Sequence, residues 1–140
     1  MLNERTSDAL LSVVVPCKNR AAFLRETLES ILQQDYANIE CIVMDGGSTD
    51  GTVAILESYG DRIQWRSEPD AGPAAAINEG WARASGDVLT WLNADDRWAP
   101  GAATRAMSYL KSHPEIDVVY GSCRFIDRHG RAVWRLKSRP

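Results

Sequence analysis

The run Asp87–Leu92, DVLTWL, ends in Asn93-Ala94-Asp95-Asp96, two adjacent carboxylates where a buried strand surfaces. Like charges side by side repel, and a cation removes the conflict. Hard cations such as Mg²⁺ take oxygen ligands, often one or two carboxylates with substrate phosphates completing the shell. No His or Cys lies nearby in sequence, which argues against zinc. A metal held this way can neutralise a diphosphate and stabilise it as a leaving group. A second acidic position, Asp45, is followed by Gly46 and Gly47. A carboxylate only accepts hydrogen bonds, so Asp45 suits the ring N–H of uracil, thymine or guanine. The glycines would let a base approach the backbone closely.

Elements of two periodicities must position these groups. LLSVVVP (10–16), IECIVMD (39–45), RIQWRSE (62–68), DVLTWLN (87–93) and DVVYGSC (117–123) read as strands. Helical patterns lie between them: RAAFLRETLESILQQ (20–34), with Phe23, Leu24, Leu28, Ile31 and Leu32 on its apolar stripe; STDGTVAILESYG (48–60), opened by Ser48 or Thr49; GPAAAINEGWARASG (72–86), with Pro73 in the first turn; and PGAATRAMSYLKSHP (100–114). RFIDRHGRAVWRL (124–136) reads as a hairpin turning at His129-Gly130. Alternating strands and helices imply right-handed βαβ units, an α/β fold and a mostly parallel sheet.

In such sheets ligands bind beyond the carboxyl ends of the strands. The predicted ends are Pro16-Cys17-Lys18-Asn19-Arg20, Asp45–Gly51, Glu68-Pro69-Asp70-Ala71-Gly72 and Asn93–Asp96, each polar or acidic. Singly, each also fits a strand end, a helix cap or a turn. Together they mark one crevice. No Walker loop is present and no G-x-G-x-x-G follows the first strand, which excludes the usual glycine cradles for phosphate.

Composition is that of a soluble globular chain: 140 residues, 44% hydrophobic, 25% charged, net charge −3. One domain over 1–140 is expected. The acidic balance and the lack of a basic run exclude nucleic acid as an expected partner. The amino terminus does not read as a signal peptide, and no stretch reaches the roughly 18 apolar residues of a membrane span. Cys17, Cys41 and Cys123 show neither metal spacing nor a disulfide framework, so buried reduced thiols and a cytoplasmic location are expected. The five tryptophans read mainly as packing; Trp98, after the acidic pair, could instead stack on a sugar.

The segments SVVVPCKNRAAFLRETLESILQQDYANIECIVMDGGSTDGT and SEPDAGPAAAINEGWARASGDVLTWLNADD resemble, in order and spacing, the family-2 glycosyltransferases of the GT-A fold. The resemblance implies a GT-A, Rossmann-like sheet flanked by helices, with a C-terminal hairpin. It implies transfer of a sugar from a nucleotide-diphosphate-sugar, most simply a UDP-sugar, with inversion by direct displacement and help from Mg²⁺ or Mn²⁺. By the same resemblance Pro16, Asn19 and Arg20 border the nucleotide, Asp45 contacts the base and Asp70 flanks the donor. Asn93-Ala94-Asp95-Asp96 takes the place of the family's D-x-D motif, with Asn93 for its first Asp. Asp96 is then the expected metal ligand, and Asp95 holds ribose or donor sugar or shares the metal.

An inverting transfer needs a general base for the acceptor hydroxyl. Family members carry it further along, in an acceptor-binding half. No residue here is assigned to that role: Asp117 lies close to core elements, and Asp127 reads as a turn residue. The expected chain is therefore the donor-binding portion of a longer enzyme. Its acceptor would be a saccharide or a lipid-linked acceptor, as in polysaccharide and cell-envelope synthesis. Peripheral association with the cytoplasmic face of a membrane and a homodimer complete the expected partners. The alternatives are a non-catalytic nucleotide-binding fragment and a sugar nucleotidyltransferase. The absence of Gly from PCKNRAAFL argues against the last.

Overall fold

In the computed structural model, which describes residues 9–136, strands and helices alternate through most of the chain. They are β1 (Leu11–Cys17), α1 (Leu24–Leu32), β2 (Ile39–Asp45), α2 (Thr52–Glu57), a 3-10 turn (Gly60–Arg62), β3 (Gln64–Ser67), α3 (Pro73–Arg83), β4 (Val88–Trp91) and α4 (Ala102–Ser112). β5 (Cys123–Ile126) and β6 (Ala132–Leu136) form a separate antiparallel hairpin. The main sheet has the order β3-β2-β1-β4, and every pairing in it is parallel.

β1 lies inside the sheet and is buried along its whole length. Its continuous apolar run follows from helices covering both faces. Val13 and Val15 point into the larger core with Leu24, Leu28, Ile31, Val43, Leu56 and Met107. Val14 points the other way, with Ile42, Met44 and Ala76. That second face needs a close approach. A Cβ on Gly80 of α3 would lie 2.5 Å from Val14 Cγ1, so glycine there lets the helix settle on β1.

The observed elements differ from the sequence reading in particular places. Residues 117–122 form no strand, and Val118 and Tyr120 are 76% and 77% exposed. β-Branched and aromatic residues such as Val118, Val119 and Tyr120 favour extended backbone but do not supply a partner strand, and β4 pairs with β1 alone among the described strands. Phe23 is exposed instead of joining the α1 stripe, which consists of Leu24, Thr27, Leu28 and Ile31. Helix α2 starts at Thr52, after Gly51, and its first N–H is met by Asp50, not by Ser48 or Thr49. Cys17 and Cys41 are buried as expected, and burial pushes both thiols up to about 12. The nearby Asp45 and Asp50 carboxylates add to the rise at Cys17. Cys123 is exposed. Trp65 and Trp98 pack against the larger core, but Trp91 and Trp134 are exposed. No helix among the described residues is long and apolar enough to cross a membrane.

At the amino-terminal edge of the sheet Glu40 gathers several donors. It accepts from Ser12 Oγ, from the Ser85 N–H at 2.6 Å, from Ser85 Oγ and from Gln64. Ser12 Oγ in turn accepts the Gly86 N–H. One carboxylate thus ties β1, β2, β3 and the α3–β4 loop. Desolvation acts to raise its pKa, but the bonds from Ser12 and Ser85 outweigh it and hold Glu40 below its ordinary 4.5. A carboxyl depressed on folding stabilises the protein above its unfolded value, and the contribution is lost as pH falls through the folded value. Glu40→Gln should therefore be less stable than the parent at pH 7, with the gap closing below about 4.5. Urea midpoints measured across that range check this, and a gap independent of pH would contradict it.

Candidate donor-binding site

The carboxyl ends of the parallel strands bring the predicted residues to one edge. Asp45, the last residue of β2, is only 3% exposed. A buried carboxylate needs donors, and three reach it. Ser48 N–H and Ser67 Oγ bond Oδ2 at 2.9 and 2.6 Å, and the Ser48 hydroxyl bonds Oδ1. Ser67 is placed there by register, since it is the Cα partner of Asp45 across β2 and β3. Oδ1 retains a lone pair for another donor. Asp70 curls back over this turn. A Cβ on Gly46 would lie 2.9 Å from Asp70 Oδ2, so a side chain there would push the Asp70 carboxylate away from this turn. Asp70 Oδ1 also accepts the Gly72 N–H just before α3. Beside them a small cavity is lined by Met44, Asp45, Arg66, Glu68, Asp70 and Glu79. Arg66 is paired with Glu68 and Glu79 across it.

The loop after β1 is sewn to the loop after β2. Asn19 N–H donates to Ser48 Oγ at 2.7 Å, and Asn19 Oδ1 accepts the Thr49 N–H at 2.8 Å. Arg20 N–H reaches Thr52 Oγ1, and Ala21 N–H reaches Asp50. Asn19 sits at φ 51°, the non-glycine residue with positive φ among those described. Asparagine tolerates that left-handed conformation better than most residues, and its reciprocal bonds hold it there. Pro16, buried in β1 next to its last residue, stands opposite Met44.

The acidic turn completes the edge. Ala94 is buried beneath it, while Asn93, Asp95 and Asp96 are exposed. Asn93 Nδ2 donates to Asp96 Oδ2 at 3.2 Å, and Arg20 Nε lies 3.3 Å from Asp95 Oδ2. Helix α1 and the residues just after it hold this turn from below through side chains three and four positions apart. Thr27 Oγ1 donates to the Asp96 carbonyl at 2.7 Å, Ser30 Oγ accepts the Trp98 N–H, and Gln34 bonds both Ala99 O and the Ala103 N–H. Trp98 is thereby packed and partly buried, the structural alternative of its two readings. Among the described residues no group of three or more His, Cys, Asp or Glu converges. The donor set suits a hard cation that takes one or two carboxylates and completes its shell with phosphate oxygens and water.

Sequence reasoning placed Asn19, Arg20, Asp45, Asp70, Asn93, Asp95 and Asp96 at this edge, and they are there. It missed Ser67, which depends on strand register, and the Thr27/Ser30/Gln34 stripe. The polar residues at helical spacing on the side of α1 facing the turn were the available signal for that stripe. Asp127 belongs to the hairpin turn, where it accepts the His129 and Arg131 N–H groups. Asp117 is exposed in the irregular stretch after α4.

The model of the family described as Glycosyl transferase family 2 matches residues 12–139. The chain belongs to that family. It is 33% identical over 137 residues to an uncharacterised glycosyltransferase of Rickettsia typhi, covering 97% of this chain and 43% of that protein. It is also 33% identical over 129 residues to one of Haemophilus influenzae, covering 89% and 51%. The family-2 chain thus spans about half or less of the length of these relatives. Its fold is that of GT-A glycosyltransferases. The S. aureus TarS 1–349 structure in complex with UDP-GlcNAc superposes with a TM-score of 0.68 at 26% identity, covering 75% of this chain and 32% of that one. The mannosyltransferase PcManGT of Pyrobaculum calidifontis, in complex with GDP-Man and Mn²⁺, gives 0.70 at 27% identity, covering 84% and 35%.

The strained, doubly bonded Asn19 makes a clear mutational contrast. Asn19→Ala loses the side-chain acceptor and keeps a Cβ in the left-handed region, while Asn19→Gly loses only the acceptor. Thermal or urea unfolding should find the alanine variant less stable than the glycine variant by about 1 kcal/mol. Equal stability would mean that the loop does not hold Asn19 in that conformation.

Proposed function

We propose that the chain is the donor-binding portion of an inverting, metal-assisted glycosyltransferase that uses a nucleotide-diphosphate-sugar, most simply a UDP-sugar. The observation that carries this reading is the convergence of Asp45, Asn19, Arg20, Asp70 and the Asn93–Asp96 turn on one sheet edge in a family-2 chain. Two solved neighbours that hold UDP-GlcNAc, or GDP-Man with Mn²⁺, support it.

In this reading the base lies against Gly46-Gly47 and donates its ring N–H to the remaining acceptor position of Asp45. Ser48 and Ser67 keep the carboxylate oriented for that contact. Pro16 and Asn19 form the floor of the nucleotide pocket, and Asp70 closes it from the β3–α3 loop. Asp96 and Asp95 would hold Mg²⁺ or Mn²⁺, with Asn93 orienting Asp96. The metal, when bound, supplies positive charge to the departing diphosphate. Thr27 and Ser30 fix the backbone of the acidic turn, so the carboxylates need no reorganisation of the main chain. We assign the acceptor site and the general base to sequence outside this segment, consistent with its share of its relatives' length. A saccharide or lipid-linked acceptor at the cytoplasmic side of a membrane belongs to the same proposal. A nucleotide-binding role without turnover by this chain alone follows if that outside sequence is absent.

Calorimetric titration with UDP, dTDP, GDP and ADP, each with and without Mn²⁺, tests the reading. Metal-dependent binding of UDP or dTDP with ADP silent is expected. ADP binding as tightly as UDP would remove the proposed role of Asp45, and metal-independent binding would remove that of Asp95 and Asp96.

A further inference from the structure

Arg20 is the cation that faces the acidic turn, and its setting is more than a border to a nucleotide. Its backbone is fixed on both sides. The N–H donates to Thr52 Oγ1, and the carbonyl accepts the Phe23 and Leu24 N–H groups that start α1. The guanidinium is tethered loosely by comparison. One nitrogen reaches the Lys18 and Asn19 carbonyls at 3.4 and 3.2 Å, and Nε lies 3.3 Å from Asp95 Oδ2. Both partners of that ion pair are about half exposed, with side-chain exposures of 47% and 45%. The pair therefore joins a rigid loop to a rigid turn through a contact that water screens and that costs little to open. Asp96 is engaged differently, by the neutral Asn93 amide. The two neighbouring carboxylates thus have unlike partners, and of the two only Asp95 is ion-paired among the described residues.

We propose that Arg20 and a divalent cation compete for Asp95, and that the guanidinium released by the metal turns to the diphosphate of the donor. This rests on the donor-binding reading above and adds a coupling to it. Asp95 cannot serve a metal fully while Arg20 neutralises it. A guanidinium set free at the same edge is well matched to phosphate oxygens, which it can engage bidentately. Without donor, Arg20 keeps the acidic turn balanced and metal binding weak. With donor, the diphosphate offers Arg20 a second anion, so metal and nucleotide each favour the other's binding.

The two halves of the coupling have opposite signs in one variant, which makes them testable. Mn²⁺ alone is titrated against the folded chain by the electron paramagnetic resonance of the free ion, with UDP affinity measured separately in saturating Mn²⁺. Arg20→Ala should bind Mn²⁺ alone roughly two- to fivefold more tightly than the parent, the range of an exposed ion pair. It should bind UDP with Mn²⁺ more weakly, and Arg20→Lys should fall between the two in both titrations. Adding Asp95→Asn to Arg20→Ala should abolish the gain in Mn²⁺ affinity. Unchanged or weaker Mn²⁺ binding by Arg20→Ala would overturn the proposal, as would a gain that survives Asp95→Asn. Arg20→Gln, which removes the charge but keeps part of the side chain's length and two N–H donors, repeats the test if the alanine variant loses its circular dichroism. Because the Mn²⁺ titration contains no nucleotide, failure of the parent chain to bind UDP counts against the donor reading alone.

Discussion

The carboxylate of Asp45 is nearly sealed from water at the end of β2, and the order of the whole edge descends from its demand for donors. A polar group in that position must be hydrogen-bonded, or the fold would bear its full desolvation cost. Ser48 answers it from the loop after β2 and Ser67 from the end of β3. Ser48 then accepts the Asn19 N–H, and Asn19 answers Thr49, so the β1 loop is set by the β2 loop. Arg20 is carried by that β1 loop to within 3.3 Å of Asp95. The base end and the metal end of the proposed donor site are thus connected through short polar links, with no large displacement needed between them.

The two ends differ in kind. Around Asp45 the contacts are buried, mutually oriented and satisfied, which makes that region rigid and shape-determining. Around Asp95 and Asp96 the side chains are exposed and their partners are weak, while the backbone beneath them is anchored by Thr27, Ser30 and Gln34. A firm main chain with lightly held carboxylates suits a metal that must enter with each donor and leave with each diphosphate. A dense cage of carboxylates would bind the ion more tightly and release it less readily.

Much of this was legible in the sequence because two periodicities and one topological rule suffice for it. β-branched runs gave the four parallel strands, apolar stripes gave the helices, and the convergence of strand ends placed Asp45, Asp70 and the Asn93–Asp96 turn together. What escaped depends on relations that pattern does not contain. Ser67 reaches Asp45 because β3 pairs with β2 in one particular register. Thr27, a polar residue within the apolar face of α1, is buried and holds the Asp96 carbonyl, a role only the fold defines. Ser48 looked like a helix cap, but the buried carboxylate three residues earlier claims it, and α2 begins later. The β-forming composition of 117–122 finds no pairing, since a strand exists only where a neighbour accepts its ladder.

The most direct measurement is a crystal of the chain grown with UDP and Mn²⁺ and recorded at the manganese absorption edge. The result expected is one anomalous peak between the nucleotide diphosphate and the carboxylates of the Asp95-Asp96 turn, with the base on Gly46-Gly47 beside Asp45. A nucleotide bound elsewhere on the chain, or bound at this edge with manganese remote from Asp95 and Asp96, would contradict the account.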